Sequence, residues 1–410
     1  MIDILAAADR CVKCGMCLPH CPTYVITRNE ADSPRGRISL MQALQSGELP
    51  SSNALVHHLD ACLGCRACEV ACPAAVPYGD LIDAARAKLQ RQRTRRSDTM
   101  RALADIFIQR RWPRRLAYWS LFLYQRFGTR KIVRSSGLLR LVGLERAEFL
   151  LPRLARAAVP RTKRPLEPNL PKIALFTGCV AEILDRTTLN ASQRVLTRLG
   201  YETLVPSRQT CCGALHLHNG LPDKALSLMR QNIEAFDERE IDAVISTASG
   251  CGAQLAEYPK YLQGEESRRF AKRHQDICQF LAEQDQPPRL SFKPLTATVA
   301  VHLPCSLVHV LKQTPHIMKL LSRIPNVELY ELGGNTRCCG AAGSYMLHQP
   351  QLADELLVDK IEHLKSEQPD ILVTSNIGCA LHIEAGVRRA GLSTRVMHPV
   401  TLLDQQLVDH

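Results

Sequence analysis

The pattern C-x2-C-x2-C-x3-C-P occurs twice near the start of the chain, as "CVKCGMCLPHCP" at 11–22 and "CLGCRACEVACP" at 62–73. Eight thiols at matched spacing, each run closed by proline, constrain the fold more than any other feature, because whatever holds them dictates the backbone around them. The chain has 17 cysteines in 410 residues. Its first segment, "MIDILAAADR", carries Asp3 and Asp9 and lacks the basic and apolar stretches of a secretory signal. No apolar run approaches the roughly 18 residues needed to span a bilayer, and the longest candidate, "LAYWSLFLYQ", is flanked by arginines. The expected compartment is the cytoplasm, where so many thiols point to metal or redox chemistry and not to a disulfide framework.

The spacing is that of bacterial two-cluster ferredoxins, in which three thiolates of a run hold one cluster and the fourth, before proline, crosses to the other. On that logic Cys11, Cys14, Cys17 and Cys72 hold one 4Fe-4S cluster, and Cys62, Cys65, Cys68 and Cys21 hold the second. Structural zinc would use two C-x2-C pairs and leave the third cysteine and the C-P without a role. Between the runs, "RISLMQAL" and "ALVHHLDA" place apolar residues at helical spacing. A long, partly helical insert predicts an α-helical ferredoxin arrangement over residues 1–90. "SPRGR" at 33–37 reads equally as a helix start with solvated charge and as two arginines, Arg35 and Arg37, placed against the cluster cage or a partner.

Residues 83–164 contain 22 Lys and Arg against five acidic residues, a surplus of 17 that exceeds the +12 of the whole chain. Trp112, Tyr118, Trp119, Phe122, Tyr124 and Phe127 are interleaved with this charge. No nucleic-acid module accompanies it, so no nucleic-acid partner is expected. Docking to a partner ranks first for this region, with Arg91, Arg93, Arg95 and Arg96 as its test residues, and an in-plane membrane contact ranks second. The expected division is a basic, partly helical linker at 91–170, then two further domains at 171–292 and 293–410.

The second half changes to an α/β pattern. "KIALFTGCV", "DAVISTASGCG", "TATVAVHLPC", "DILVTSNIGC" and "STRVMHPV" read as buried strands, and "RTTLNASQRVLTRLG", "PDKALSLMRQNIEAF" and "QLADELLVDKIEHLKS" as helices. It also repeats. Cys179, the Cys211–Cys212 pair and Cys251 recur as Cys305, the Cys338–Cys339 pair and Cys379, at offsets of 126, 127 and 128 residues. Thiols at strand ends sit where open α/β sheets bind ligands, and a glycine after each vicinal pair suggests close backbone approach to a cofactor. Each set suits a further 4Fe-4S cluster or a zinc ion; a redox dithiol is the other reading. His302 and His382 are minor ligand candidates, and Cys278 reads as an ordinary buried residue.

A ferredoxin domain followed by two cysteine-rich CCG domains resembles the iron–sulfur subunit of glycolate oxidase, and "SPRGRI", "STASGCGAQLAEY" and "CCGAAGSY" strengthen the likeness. The resemblance covers nearly the whole chain. It implies an electron-transfer subunit, not catalytic alone, of a membrane-associated complex. An FAD-binding subunit there oxidises a 2-hydroxy acid, by resemblance glycolate, and electrons pass toward a quinone or other respiratory acceptor. It also implies contact with the cytoplasmic face of the inner membrane. The same modules occur in heterodisulfide reductases, the alternative reading, but there each unit ends in C-x2-C. Here Gln254 and His382 stand where the fifth cysteine would be. The chain has no G-x-G-x-x-G fingerprint of its own. The fold class expected is α+β and multi-domain: a helical ferredoxin domain, a basic helical linker and tandem α/β cysteine-rich domains.

Overall fold

The computed structural model describes residues 3–92, 110–159, 161–162, 170–237, 241–284 and 290–408. Arg93, Arg95 and Arg96 lie outside these residues, as does most of the proline-rich stretch before the second half.

The N-terminal lobe is helical: Ile4–Ala8, Pro22–Thr27, Pro34–Ser46, Asn53–Asp60, Ala67–Val70 and Tyr78–Gln92. Its core follows the 3.6-residue period. Ile38, Met41 and Leu44 come from one helix, Leu55 and Leu59 from the next, and Leu81, Ile82, Ala85 and Leu89 from the last. "SPRGR" proves to be a helix start and an arginine site at once. Ser33 caps Pro34–Ser46 by accepting from the Gly36 N–H at 3.0 Å, and Pro34 occupies the first turn. Arg35 pairs with Glu30 at 2.7 Å at the surface. Arg37 is buried, donating to the His58 carbonyl at 2.7 Å and to Thr23 Oγ1 at 3.0 Å, with Asp32 at 3.4 Å.

The second half is two sheets of one topology. The first contains β1 (Lys172–Phe176), β2 (Glu202–Leu204), β3 (Ile241–Ser246) and β4 (His274–Asp276), all parallel, in the order β2-β1-β3-β4. The second contains β5 (Ala297–His302), β6 (Val327–Glu331), β7 (Ile371–Thr374) and β8 (Arg395–Met397), in the order β6-β5-β7-β8. Helical crossovers cover both faces, which is why the central strands are continuous apolar runs. The five expected strand segments contain β1, β3, β5, β7 and β8. The sequence reading missed β2, β4 and β6, which are edge strands. Two of these have only three residues, and the third, "VELYE", is partly exposed, so none carries a buried run to read.

Alternation along the central strands sorts the cores. Ile173 and Leu175 of β1, Ile245 of β3, Val299 and Val301 of β5, and Ile371 and Val373 of β7 all enter one cluster shared by both sheets. Their neighbours Ala174, Phe176 and Val244 face a core private to the first sheet, and Ala300 and Leu372 face one private to the second. Helices Arg186–Arg198 and Pro399–Gln406 meet across the shared side, where Thr188 and Thr401 hydroxyls are 3.1 Å apart.

The basic middle forms Arg111–Arg126, Thr129–Ser135, Leu138–Leu141 and Glu145–Leu150. Much of its charge is used internally. Arg114 is buried 3.3 Å from Glu182, and Glu148 takes Arg130 and Arg134 at 2.6 and 2.7 Å. Arg146 reaches Asp354 at 2.7 Å. Among the described residues no helix is long and apolar enough to cross a membrane.

One glycine offers a direct test. A Cβ at Gly36 would stand 1.9 Å from the Glu30 carbonyl oxygen, so the capped start of Pro34–Ser46 has to move if a methyl is added. Gly36→Ala is expected to destabilise that helix by about 1–3 kcal/mol. Hydrogen exchange at the Met41 and Leu44 amides reads this locally; unchanged protection would contradict the contact.

Candidate metal centres

Two loops of the helical lobe present the first eight cysteines. One cavity is lined by Cys11, Cys14, Cys17 and Cys72, with Cys68 on its wall and Arg35, Ile38 and Tyr78 around it. Cys14 is exposed, and Val12 and Met16 at the rim are 71 % and 57 % exposed. Cys21, Cys62 and Cys68 are buried deeper. Cys65 and Cys68 both lie within electrostatic reach of Cys62 and Cys21, and burial pushes both thiols well above their ordinary range. Arg37 approaches Cys21, with its guanidinium 4.0 Å from the sulfur. The Cys62 sulfur accepts from the Gly64 N–H at 3.4 Å and from the Tyr78 hydroxyl at 3.7 Å. The guanidinium and the two donors stand where a metal-bound sulfur would carry negative charge.

In the cysteine-rich units the thiols converge beyond the strand ends. Cys179 follows β1 and Cys305 follows β5. Cys179 Sγ lies 3.4 Å from Cys211 Sγ, and contacts continue from Cys211 to Cys212 and from Cys212 to Cys251. The second unit repeats the chain of contacts from Cys305 through Cys338 and Cys339 to Cys379. The neighbouring thiol, and then burial, raises the Cys179 and Cys305 pKa values far above normal. The backbone N–H two residues after Cys211, and likewise after Cys338, points at that sulfur at 3.5 Å.

The glycines behind the vicinal pairs serve a different need from the one expected of them. Gly213 and Gly340 sit at φ +93° and +85°, and a Cβ on Gly340 would lie 2.6 Å from the Ala353 carbonyl oxygen. They let the loop turn and press against the outer helix, Pro350–Glu367 in the second unit, while their N–H groups face the sulfurs of Cys211 and Cys338. Cys278 is buried in the shared core, apart from both sulfur sets.

The two histidine candidates part company. His302, Cys339 and Cys379 are buried, and their ligand atoms lie within 4.8 Å of one another. His302 Nδ1 meets Thr374 Oγ1 at 2.9 Å, and burial, with Lys360 adding to it, pushes the imidazole down to about 3, so it is neutral. His382 instead donates from Nε2 to the Ala353 carbonyl at 3.0 Å. It joins no such group among the described residues.

The helical lobe docks on both units. Arg66 pairs with Glu257 of the first unit at 2.6 Å, and Arg86 donates to the His218 carbonyl at 3.2 Å. On the second unit, the Tyr345 hydroxyl donates to the Ala61 carbonyl at 3.2 Å, and Leu63 packs on the core that contains Cys339 and Cys379. Cys65 is thereby brought within electrostatic reach of Cys305 and Cys338. Nothing in residues 61–66 announces this contact, because it depends on how separate folded parts meet.

All the thiols are free, and neutral imidazole and clustered thiols are soft donors suited to iron–sulfur centres or zinc. Comparison with known proteins agrees with the chemistry of the donor sets. Residues 7–76 match the 4Fe-4S dicluster domain, and residues 173–256 and 299–384 match the cysteine-rich domain. The chain is 34 % identical to the probable glycolate oxidase iron-sulfur subunit of Bacillus subtilis (strain 168), over 96 % of this chain and 92 % of that protein. It is 32 % identical to the glycolate oxidase iron-sulfur subunit of Escherichia coli (strain K12), over 97 % and 93 %. Lactate utilization protein A of Geobacillus thermodenitrificans (strain NG80-2) matches at 28 % over 57 % of this chain and 99 % of its own length. With cysteine spacing, twin sheets and full-length likeness in agreement, the chain belongs to the family of glycolate oxidase iron–sulfur subunits.

Proposed function

We propose that this chain is the electron-transfer subunit of a flavin-dependent complex that oxidises a 2-hydroxy acid, glycolate by relationship, and delivers electrons toward a quinone or another respiratory acceptor. One observation carries the reading: a helical lobe bearing eight cysteines docks on both cysteine-rich units, with Cys65 within electrostatic reach of Cys305. Cys11, Cys14, Cys17 and Cys72 would hold one 4Fe-4S cluster, and Cys62, Cys65, Cys68 and Cys21 the other. Each cysteine-rich set would hold a further cluster or, as second choice, zinc. When bound, such clusters carry single electrons at potentials set by charge, hydrogen bonding and burial.

The chain's own residues supply those settings. Arg37 places a buried positive charge at Cys21, and Tyr78 and Gly64 donate to Cys62. The exposed rim at Val12 and Met16 leaves the first set near the surface, where exchange with a partner is short. The heterodisulfide-type alternative has less support, since Gln254 and His382 replace the fifth cysteines and His382 is engaged by a backbone carbonyl.

Helix Arg111–Arg126 supports partner docking. Trp112, Leu116, Trp119 and Leu123 recur at helical spacing and are 63, 59, 44 and 45 % exposed. Exposed Arg115 and Arg126 flank this stripe. The opposite face is closed, with Arg114 buried on Glu182 and the Tyr118 hydroxyl on the Ala155 carbonyl at 2.7 Å. The flavoprotein subunit is the first choice of occupant and the cytoplasmic membrane surface the second.

Three experiments test the reading. Cys21→Ser should damage the cluster of Cys62, Cys65 and Cys68, seen as loss of one EPR signal; if the damaged signal is the one lost in Cys14→Ser, the crossed ligation is wrong. The purified chain with its clusters intact should give no turnover with glycolate and an artificial acceptor. Clear activity without a flavoprotein would refute the subunit reading. The double change Trp112→Ala and Trp119→Ala should lower co-purification with the flavoprotein at least tenfold while leaving the iron content unchanged. Retained assembly together with lost binding to anionic vesicles would transfer the stripe to the membrane.

A further inference from the structure

The two cysteine-rich units are copies, yet they differ at one position beside the sulfurs. Phe176 is the last residue of β1 and His302 the last residue of β5, and the 126-residue offset between them is the one that relates Cys179 to Cys305. Phe176 packs into apolar surroundings, 6.1 Å from the ring of Phe236. His302 stands on the strand face it shares with Ala300, the face that looks onto Cys339 and Cys379.

We propose that His302 is a nitrogen donor to the metal centre of the second unit. On this view the copies hold centres of different character: sulfur-only at Cys179, Cys211, Cys212 and Cys251, and mixed sulfur–nitrogen at Cys305, Cys338, Cys339, Cys379 and His302. The inference rests on the reading above that these units bind metal.

Three observations carry it. The ligand atoms of His302, Cys339 and Cys379 fall within 4.8 Å of one another, in a group in which every member is buried. His302 Nδ1 meets Thr374 Oγ1 at 2.9 Å, the kind of fixing contact that holds ligating histidines in place. The first unit provides a control. Its hydroxyl at the place of Thr374, Ser246, also holds an imidazole at 2.9 Å, but that ring belongs to His274 on edge strand β4 and joins no sulfur group among the described residues. The copies therefore keep the hydroxyl and differ in where the ring it holds comes from.

The consequence is electronic. A neutral imidazole adds no negative charge where a thiolate would, and nitrogen ligation raises the potential of an iron–sulfur centre. Where His302 takes the place of one thiolate on the metal, the second unit would be the easier of the two to reduce.

The test uses the full-length chain, loaded anaerobically with iron and sulfide. His302→Phe installs the first copy's own residue and keeps a ring in the space, and Cys379→Ser marks the second unit. Cys379→Ser should remove the metal of that unit; if no metal is lost, the unit is not a metal site, and both the underlying reading and this inference fall. Given that loss, pulsed EPR of the reduced wild-type chain should show an imidazole nitrogen coupling that His302→Phe abolishes. If metal analysis finds zinc in this unit, zinc-edge X-ray absorption should show one nitrogen neighbour that His302→Phe removes. Intact ferredoxin signals and unchanged exchange protection of helix Pro350–Glu367 verify that the variant is folded. Metal lost in Cys379→Ser but with no such nitrogen, or with the nitrogen signal unchanged in His302→Phe, would overturn the inference and leave the metal site standing.

Discussion

The apolar face that the two sheets share sets how the two later thiol sets stand relative to one another. Ile173, Leu175, Val299, Val301, Ile371 and Val373 can meet only if both sheets turn the same residue parity inward. That choice directs the alternate residues outward and brings the strand ends with Cys179 and Cys305 into equivalent places. The helical lobe then has a composite surface to rest on, touching Glu257 and the His218 carbonyl of one unit and Tyr345 of the other.

Charge follows burial more closely than composition suggests. The basic middle reads as one positive surface in the sequence, yet Arg114, Arg130, Arg134 and Arg146 are all spent on carboxylates of the chain itself. What remains exposed on helix Arg111–Arg126 is mainly an apolar stripe with arginines at its margins. Arg37 shows the opposite case: its charge lies wholly inside, satisfied by a carbonyl, a hydroxyl and a carboxylate. A buried guanidinium is tolerable only with such a complete set of partners.

Local chemistry made much of this legible beforehand. The doubled cysteine runs, the register of the later thiols and the central strands are all short-range patterns with strong physical causes. Helix Pro34–Ser46 announced itself through Ser33, Pro34 and the spacing of Ile38, Met41 and Leu44. Edge strands such as His274–Asp276 did not, because three polar residues carry no apolar period. The approach of Cys65 to within electrostatic reach of Cys305 was equally hidden, since it arises from docking between residues 240 positions apart. His302 was visible only as a minor candidate, because its significance lies in its contrast with Phe176 and in the placement of its ring beside Cys339 and Cys379.

The shared core also bears on heredity. Two copies whose inner faces complete each other are costly to lose or exchange singly, because either alone would expose the surface formed by Val195, Ile245, Val301 and Val373. Damage at these positions would look epistatic, silencing both sulfur sets together whichever copy carried the change. The strand faces turned away from that core are free of that bond, and it is there, at Phe176 and His302, that the two copies differ.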